Sequence, residues 1–274
     1  MRLSLCNEVI REMPFAAQCD FAASVGYDGL EVAPFTLSDM PHMLGAEAIA
    51  DVRSGLSSAG VKCSSLHWLL IAPDGLAITS PDADVRTRTI DVMRRLVDLA
   101  AELGAETLVH GSPKQRDLPE TGAGDARAWA MECFAAAGAA AEAAGVVYCV
   151  EPLAARETNF INSVAEAVEV VKSVGSPGLR TMVDCSATGG TGPEVVALLD
   201  EWLPTGMLAH VQVNDPNRRG PGEGEMRFRP ILQALRRGGY KGWVAVEPFD
   251  YVPDGPACAA RAAGYLRGHL EGME

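Results

Sequence analysis

Tyr148-Cys149-Val150-Glu151-Pro152 reads as a short buried strand that delivers a carboxylate at its end and is then stopped by proline. Three other runs repeat the design: Met182-Val183-Asp184, Val211-Gln212-Val213-Asn214-Asp215 and Val244-Ala245-Val246-Glu247-Pro248. In a parallel α/β barrel the C-terminal ends of all strands open on one face, so residues remote in sequence converge there. The oxygens of Glu151, Asp184, Gln212 and Glu247, brought to that face, would form a site for a divalent cation.

Working outward, the rest of the chain alternates strand-like and helix-like runs. Arg2 to Cys6 is the first strand, and Pro14 opens an Ala-rich helix closed at Val25-Gly26. Tyr27 to Val32 is the second strand, with Glu31 near its end, and a helix over Gly45 to Ala59 leads to a third strand ending in His67-Trp68. The loop from Ile71 to Thr79 is long enough for a flap over the site. Ser80-Pro81-Asp82 has the composition of a helix start, with Ser80 as N-cap. Ile90, Met93, Leu96, Val97, Ala100 and Leu103 then share one face at helical spacing.

Strand four is Glu106 to His110, followed by the polar loop Gly111-Ser112-Pro113-Lys114-Gln115-Arg116. After Glu151 come a helix from about Ser163, a strand from Leu179 to Asp184, and the run Gly189-Gly190-Thr191-Gly192. Such a run before a helix could cradle a phosphate, or be a plain flexible loop. Leu208 to Asn214 and Trp243 to Glu247 are the last strands, and Ala257 to Leu270 is the closing helix. Eight such alternations predict a closed parallel (β/α)8 barrel, one domain over residues 1–274.

A formal charge of −13 opposes a nucleic-acid role, because phosphate binding relies on clustered Lys and Arg. The seven cysteines are scattered without a C-x-x-C pair, as expected of reduced thiols in a cytoplasmic protein. No run reaches transmembrane length, so neither membrane nor nucleic acid is an expected partner.

Several carboxylates packed into one mouth repel each other unless a cation neutralises them or their pKa values rise. On strand seven, period two puts His210 and Gln212 on the same face. Counting from the start of each apolar run, Asp184, Glu247 and Gln212 fall at the same depth, which favours Gln212 as ligand with His210 a layer deeper. A His210 ligand stays open as the alternative. No thiolate stands among these strand-end residues, so Mn²⁺, Mg²⁺ or Co²⁺ is the expected ion.

These residues resemble the xylose-isomerase-like barrels, which include sugar isomerases, ketose 3-epimerases, hydroxypyruvate isomerases and apurinic endonucleases. Glu151-Pro152-Leu153-Ala154-Ala155-Arg156-Glu157-Thr158-Asn159 resembles the epimerase segment whose first Glu binds metal and whose second contacts the sugar. His210-Val211-Gln212, followed by Asn217-Arg218-Arg219, is similar to the hydroxypyruvate isomerase segment in which the Gln is a metal ligand. The epimerases carry His at the Gln212 position and an Arg matching Arg218 that contacts substrate. They also carry a substrate His three residues after the metal Asp, where this chain has Ala187. The endonucleases need further histidines, of which only His67 and His110 match.

The resemblance implies a metal-dependent sugar isomerase or epimerase, working by proton abstraction next to a carbonyl through an enediolate, with Glu151 and Glu247 as base and acid. His67, His110, Glu157, His210 and Arg218 are the expected substrate-side residues. Lys114, Arg116, Arg218 and Arg219 place cations on the C-terminal loops, where an Arg fork could also hold a carboxylate or phosphate. A dehydratase of a sugar or cyclitol, or a sugar-binding barrel without catalysis, are the alternatives. The expected partner is a small sugar or hydroxycarbonyl substrate, and assembly into a homo-oligomer is left open.

Overall fold

The architecture follows from eight short strands that are too apolar to leave either face in water. In the computed structural model, which describes residues 1–273, β1 (Arg2–Cys6), β2 (Gly29–Val32), β3 (Lys62–Leu66), β4 (Thr107–His110), β5 (Val147–Val150), β6 (Leu179–Asp184), β7 (Leu208–Val213) and β8 (Trp243–Val246) pair in parallel and in order, and β8 closes on β1. Eight helices wrap the barrel: α1 (Phe15–Val25), α2 (Ala46–Ala59), α3 (Ala83–Leu103), α4 (Ala123–Ala144), α5 (Val164–Val174), α6 (Gly192–Trp202), α7 (Phe228–Arg237) and α8 (Gly255–Glu271). This is the (β/α)8 barrel that the alternation predicts.

Local chemistry sets the helix ends. Asp82, Ser163 and Asp254 cap α3, α5 and α8 by accepting a backbone N–H of the first turn. The cap of α3 is therefore Asp82 and not Ser80, whose hydroxyl instead accepts the Asp82 N–H. The α2 and α3 chains turn out through Gly60 and Gly104, both left-handed at φ 72° and 73°. On α3 the apolar stripe is buried: Met93, Leu96, Val97 and Ala100 are sealed against the barrel, each large side chain stabilising by roughly 1.5–3 kcal/mol.

The barrel lumen is layered because side chains alternate along each strand. Val109, Cys149 and Met182 form an apolar plug from three neighbouring strands. Two residues further along each strand, towards the C-terminal face, stand Gly111, Glu151 and Asp184. The same parity sends His110 outward, where it packs edge-on against Phe134 of α4 at 5.3 Å between ring centroids. In β7 a register shift near Ala209 leaves Gln212 opposite Asp184 and His210 opposite Met182. No helix among the described residues is long and apolar enough to cross a membrane, and all seven cysteines are buried free thiols.

Candidate active site

Glu151, Asp184 and Glu247 extend from the ends of β5, β6 and β8, and one oxygen of each lies within 4.8 Å of the others. All three are nearly sealed from solvent. Burial, with Glu247 and Asp184 as negative neighbours, pushes the Glu151 carboxyl well above the ordinary range. Glu247 is pushed up to about 8, by burial first, with Asp184 and Glu8 adding to it against the opposing pull of His67. Asp184 rises only to about 6, because the Ala187 N–H, Asn214 and Ser186 donate to it and partly offset burial. Three carboxylates whose charge is this costly are a group that could hold a cation.

Gln212 completes the set. Its Nε2 donates to Glu31 Oε1 at 2.5 Å, while its buried Oε1 has no hydrogen-bond partner among the described residues. A buried carbonyl oxygen left orphaned on the neighbouring strand is a group that could join Glu151, Asp184 and Glu247 in holding a hard divalent ion.

The layer beneath holds these ligands in place. Glu31 is fully buried on β2 and receives Gln212, Ser65 and His210. Burial alone would push Glu31 up, but His210 and His67 outweigh it and hold the carboxyl down at about 2. His210 Nε2 faces Glu31, and its Nδ1 lies 3.3 Å from the Thr107 hydroxyl, so His210 sits below the mouth. His210 thus lies a layer deeper than Gln212 and buttresses Glu31. His110 stands outside the mouth, since it faces the helices with Nδ1 on the Tyr148 hydroxyl. Burial and nearby Arg116 hold it down to about 3, hence neutral.

His67 does reach the mouth, pinned between Glu247 at 3.2 Å and Glu8 at 3.0 Å. Burial opposes its charge, but Glu8, Glu247 and Glu31 raise its pKa well above that of a free imidazole. Cys6, Glu8, His67 and Glu247 thus also lie close together, yet both His67 nitrogens are already occupied by carboxylates. Trp68, backbone left-handed at φ 54°, turns its indole N–H onto Glu247 Oε1 at 3.0 Å. Its ring meets Phe249 edge-on, and Phe249 carries the Arg218 guanidinium 5.1 Å from its centroid.

A cavity of about 20 Å³ is lined by Glu151, Asp184, Arg156, Glu157, Arg218 and Phe249, together with Leu153, Ser186 and Ala187. Glu157 and Arg218 therefore stand beside Glu151 and Asp184 at the mouth. The loop cations behave differently from one another: Lys114 and Arg218 are exposed, Arg219 is paired with Asp250, and Arg116 is fully buried. Arg116 donates to the Glu151 carbonyl at 2.7 Å, and burial lowers it only to about 10, so it stays charged behind the ligand strand. The Gly189–Gly192 run does not reach the mouth. Gly190, Thr191 and Gly192 instead border a larger concavity of about 1060 Å³ with Asp215, Asn217 and Arg227, whose lining includes none of Glu151, Asp184 and Glu247.

Sequence reasoning did not find Glu8, Trp68, Asn214 or Gly111. Only Gly111 left a signal, a glycine at a strand end in line with Glu151. A Cβ there would stand 1.8 Å from Glu151 Oε2.

Residues 19–269 match the family described as xylose isomerase-like TIM barrel. The chain is 29% identical to a D-psicose 3-epimerase of Agrobacterium fabrum, over 86% of this chain and 79% of that protein. It is 27% identical to a putative hydroxypyruvate isomerase of Streptomyces coelicolor, covering 92% and 94%. Among solved structures, a 3-keto-D-glucoside 4-epimerase of E. coli superposes with a TM-score of 0.84 at 17% identity, covering 98% and 99%, a likeness of fold.

Proposed function

Because the chain belongs to the xylose isomerase-like TIM-barrel family, we propose that it is a divalent-metal-dependent sugar isomerase or epimerase acting at carbon next to a carbonyl. The observation that carries this reading is the convergence of Glu151 and Glu247 from β5 and β8, with Asp184 and the orphaned Gln212 oxygen between them in barrel order. Those four residues would hold Mn²⁺, Mg²⁺ or Co²⁺. An ion held there would supply polarisation of the carbonyl and stabilisation of negative charge next to it.

The protein's own groups move the proton. Glu151, whose carboxylate has no hydrogen-bond donor among the described residues, serves as the base at carbon. Glu247, oriented by Trp68 and His67, returns a proton from the other side of the mouth. Return to the opposite face of the same carbon gives epimerisation, and return to the neighbouring carbon gives aldose–ketose isomerisation. The Agrobacterium relative is named for the first outcome and the Streptomyces relative for the second. Glu157 and Arg218 would orient the substrate hydroxyls. The reading takes residues 1–274 as one domain, supported by a single barrel running from Arg2 to the end of α8.

Deuterium exchange from heavy water into ketoses, aldoses and short hydroxycarbonyl acids tests the proposal. Exchange in the metal-loaded protein is the expected result. No exchange across the panel with metal bound would leave a sugar-binding barrel, and an unsaturated ultraviolet-absorbing product would indicate dehydration.

A further inference from the structure

Resting on that reading of the mouth, we infer that Glu8 is a positioning residue for the proton return: it holds the His67 imidazole so that the ring engages Glu247 and not Glu31. His67 Nδ1 has a choice of acceptors, since Glu247 Oε1 lies at 3.2 Å and Glu31 Oε1 at 3.5 Å. What selects between them sits on the far side of the ring, where Nε2 meets Glu8 Oε2 at 3.0 Å. Carboxylates only accept, so the ring donates from both nitrogens, and fixing one fixes the direction of the other.

The turn that carries Glu8 is firmly anchored. Glu8 follows β1 in a short 3-10 turn over Asn7–Ile10. Its neighbour Asn7 is fully buried, with the side-chain amide shared among three partners. Nδ2 donates to Gln18 of α1 at 3.0 Å and to the Thr36 hydroxyl at 2.8 Å, and Oδ1 accepts the Ala33 N–H at 2.8 Å. The turn is thereby tied to α1 and to the loop after β2. Glu8 itself has no ion-pair partner but His67 among the described residues, and its buried Oε1 accepts no hydrogen bond there. An unpaired buried oxygen costs stability, so the contact with His67 is the one polar interaction this side chain secures.

The two acceptors differ in what else they receive. Glu31 is already supplied by Gln212, Ser65 and His210. Glu247 has two donors, His67 Nδ1 and the Trp68 indole N–H at 3.0 Å, both on Oε1. With Nε2 released, the ring is free to turn towards Glu31, which leaves Glu247 on Trp68 alone. A displacement of about 1 Å in a reacting group costs on the order of 100-fold in rate.

The experiment compares Glu8→Ala and Glu8→Gln with the parent, all loaded with Mg²⁺. Glu8 reaches solvent and Asn7 holds its turn, so both replacements should spare the fold, which melts verify. Proton NMR of the downfield imidazole N–H signals reads the contact without turnover, with His67 assigned by their loss in His67→Gln. In Glu8→Ala the Nδ1–H signal should shift and exchange faster with water, while the Trp68 indole N–H stays in place. Glu8→Gln keeps an acceptor for Nε2 and should preserve both signals. Deuterium exchange with D-fructose, dihydroxyacetone and hydroxypyruvate as probes reads the consequence. Glu151 still removes a proton and returns solvent deuterium, so in Glu8→Ala wash-in to the recovered probe should stay within about threefold of the parent, while conversion, which needs Glu247, falls about tenfold or more. Glu8→Gln should recover most of that conversion. An unmoved Nδ1–H signal in Glu8→Ala overturns the inference, as do exchange and conversion that fall in step or stay unchanged, or a loss in Glu8→Gln equal to that in Glu8→Ala. No exchange into any probe by the parent would sink the isomerase reading instead, and the Nδ1–H signal would then decide whether Glu8 sets the direction of His67.

Discussion

Gln212 is aimed by Glu31. The amide nitrogen donates to a carboxylate held ionised by His210 and His67, so the amide oxygen is the atom presented without a partner. An isolated glutamine could flip, but a flip here would set its oxygen against the Glu31 charge. The proposed metal-ligating role thus depends on a residue of β2, across the barrel. Gln212→Leu should lower Mn²⁺ affinity by about 10–100-fold, the range for disturbed ligand shells. His210→Gln should weaken the fold more than the metal. Electron paramagnetic resonance titration of Mn²⁺ alongside thermal melts separates the two. Undiminished Mn²⁺ affinity in Gln212→Leu would take Gln212 out of the ligand set.

Glu151 and Glu247 have two proposed duties, and only one needs a titrating carboxyl. Glu151→Gln and Glu247→Gln keep an oxygen for the metal and lose the acid or base. With metal restored in excess and occupancy verified, each should exchange solvent deuterium at least about 100-fold more slowly. Retained exchange at full occupancy would leave both as ligands only.

How far the sequence carries is visible in these residues. The strand ends Glu151, Asp184 and Glu247 were legible because a barrel opens all its strands on one face, and depth counted along each run placed Gln212 beside them. His110 was expected on the substrate side, but the same alternation governs it: parity turns it to the helices and Phe134. Arg116 was legible only as a cation on a C-terminal loop, because burial of a loop residue leaves no periodic trace, yet it is sealed on the Glu151 carbonyl. Trp68 and Arg218 owe their positions to left-handed backbone that no glycine announces.

Gly111 shows how a backbone position can make room for a functional side chain in the proposed site. The Glu151 carboxylate occupies the space that a side chain on residue 111 would take. Gly111→Ala must therefore move Glu151 or the end of β4. The expected result is a stability loss of about 1–3 kcal/mol from overpacking, and a fall in exchange rate of roughly 100-fold from misplacement of the base. A melt and a single exchange assay measure both. Unaltered exchange would mean that Glu151 works from another rotamer.

Proton affinity in the mouth makes a signed prediction. Glu247 at about 8 and Asp184 at about 6 lie above their unfolded values, as does Glu151. Their contribution to the metal-free protein is full below the unfolded carboxylate range and is lost as pH rises through about 6 to 8. Glu31, at about 2, acts oppositely: its contribution is present above its unfolded value and is lost as pH falls towards 2. Metal-free protein should therefore melt lower at pH 9 than at pH 6, and Mn²⁺ should remove the difference while releasing about one proton or more on binding. Melting of the metal-free protein at pH 9 equal to or above that at pH 6 would contradict the assigned charges.

Arg218 separates stability from function within one side chain. Its left-handed backbone costs on the order of 1 kcal/mol for a residue with a Cβ, and glycine adopts the same conformation freely. Arg218→Gly removes both the strain and the guanidinium stacked on Phe249. The variant should melt no lower than the parent, yet its KM for the exchanging substrate should rise about tenfold or more. Arg218→Lys keeps the backbone cost and the charge but not the planar fork, so it should fall between the parent and Arg218→Gly in KM. Mn²⁺ affinity should stay the same in all three, because Arg218 stands at the rim and the ligands below it. A melt lowered in Arg218→Gly would show that the stack on Phe249 stabilises the loop by more than the strain costs. An unchanged KM in both variants would remove Arg218 from the substrate site.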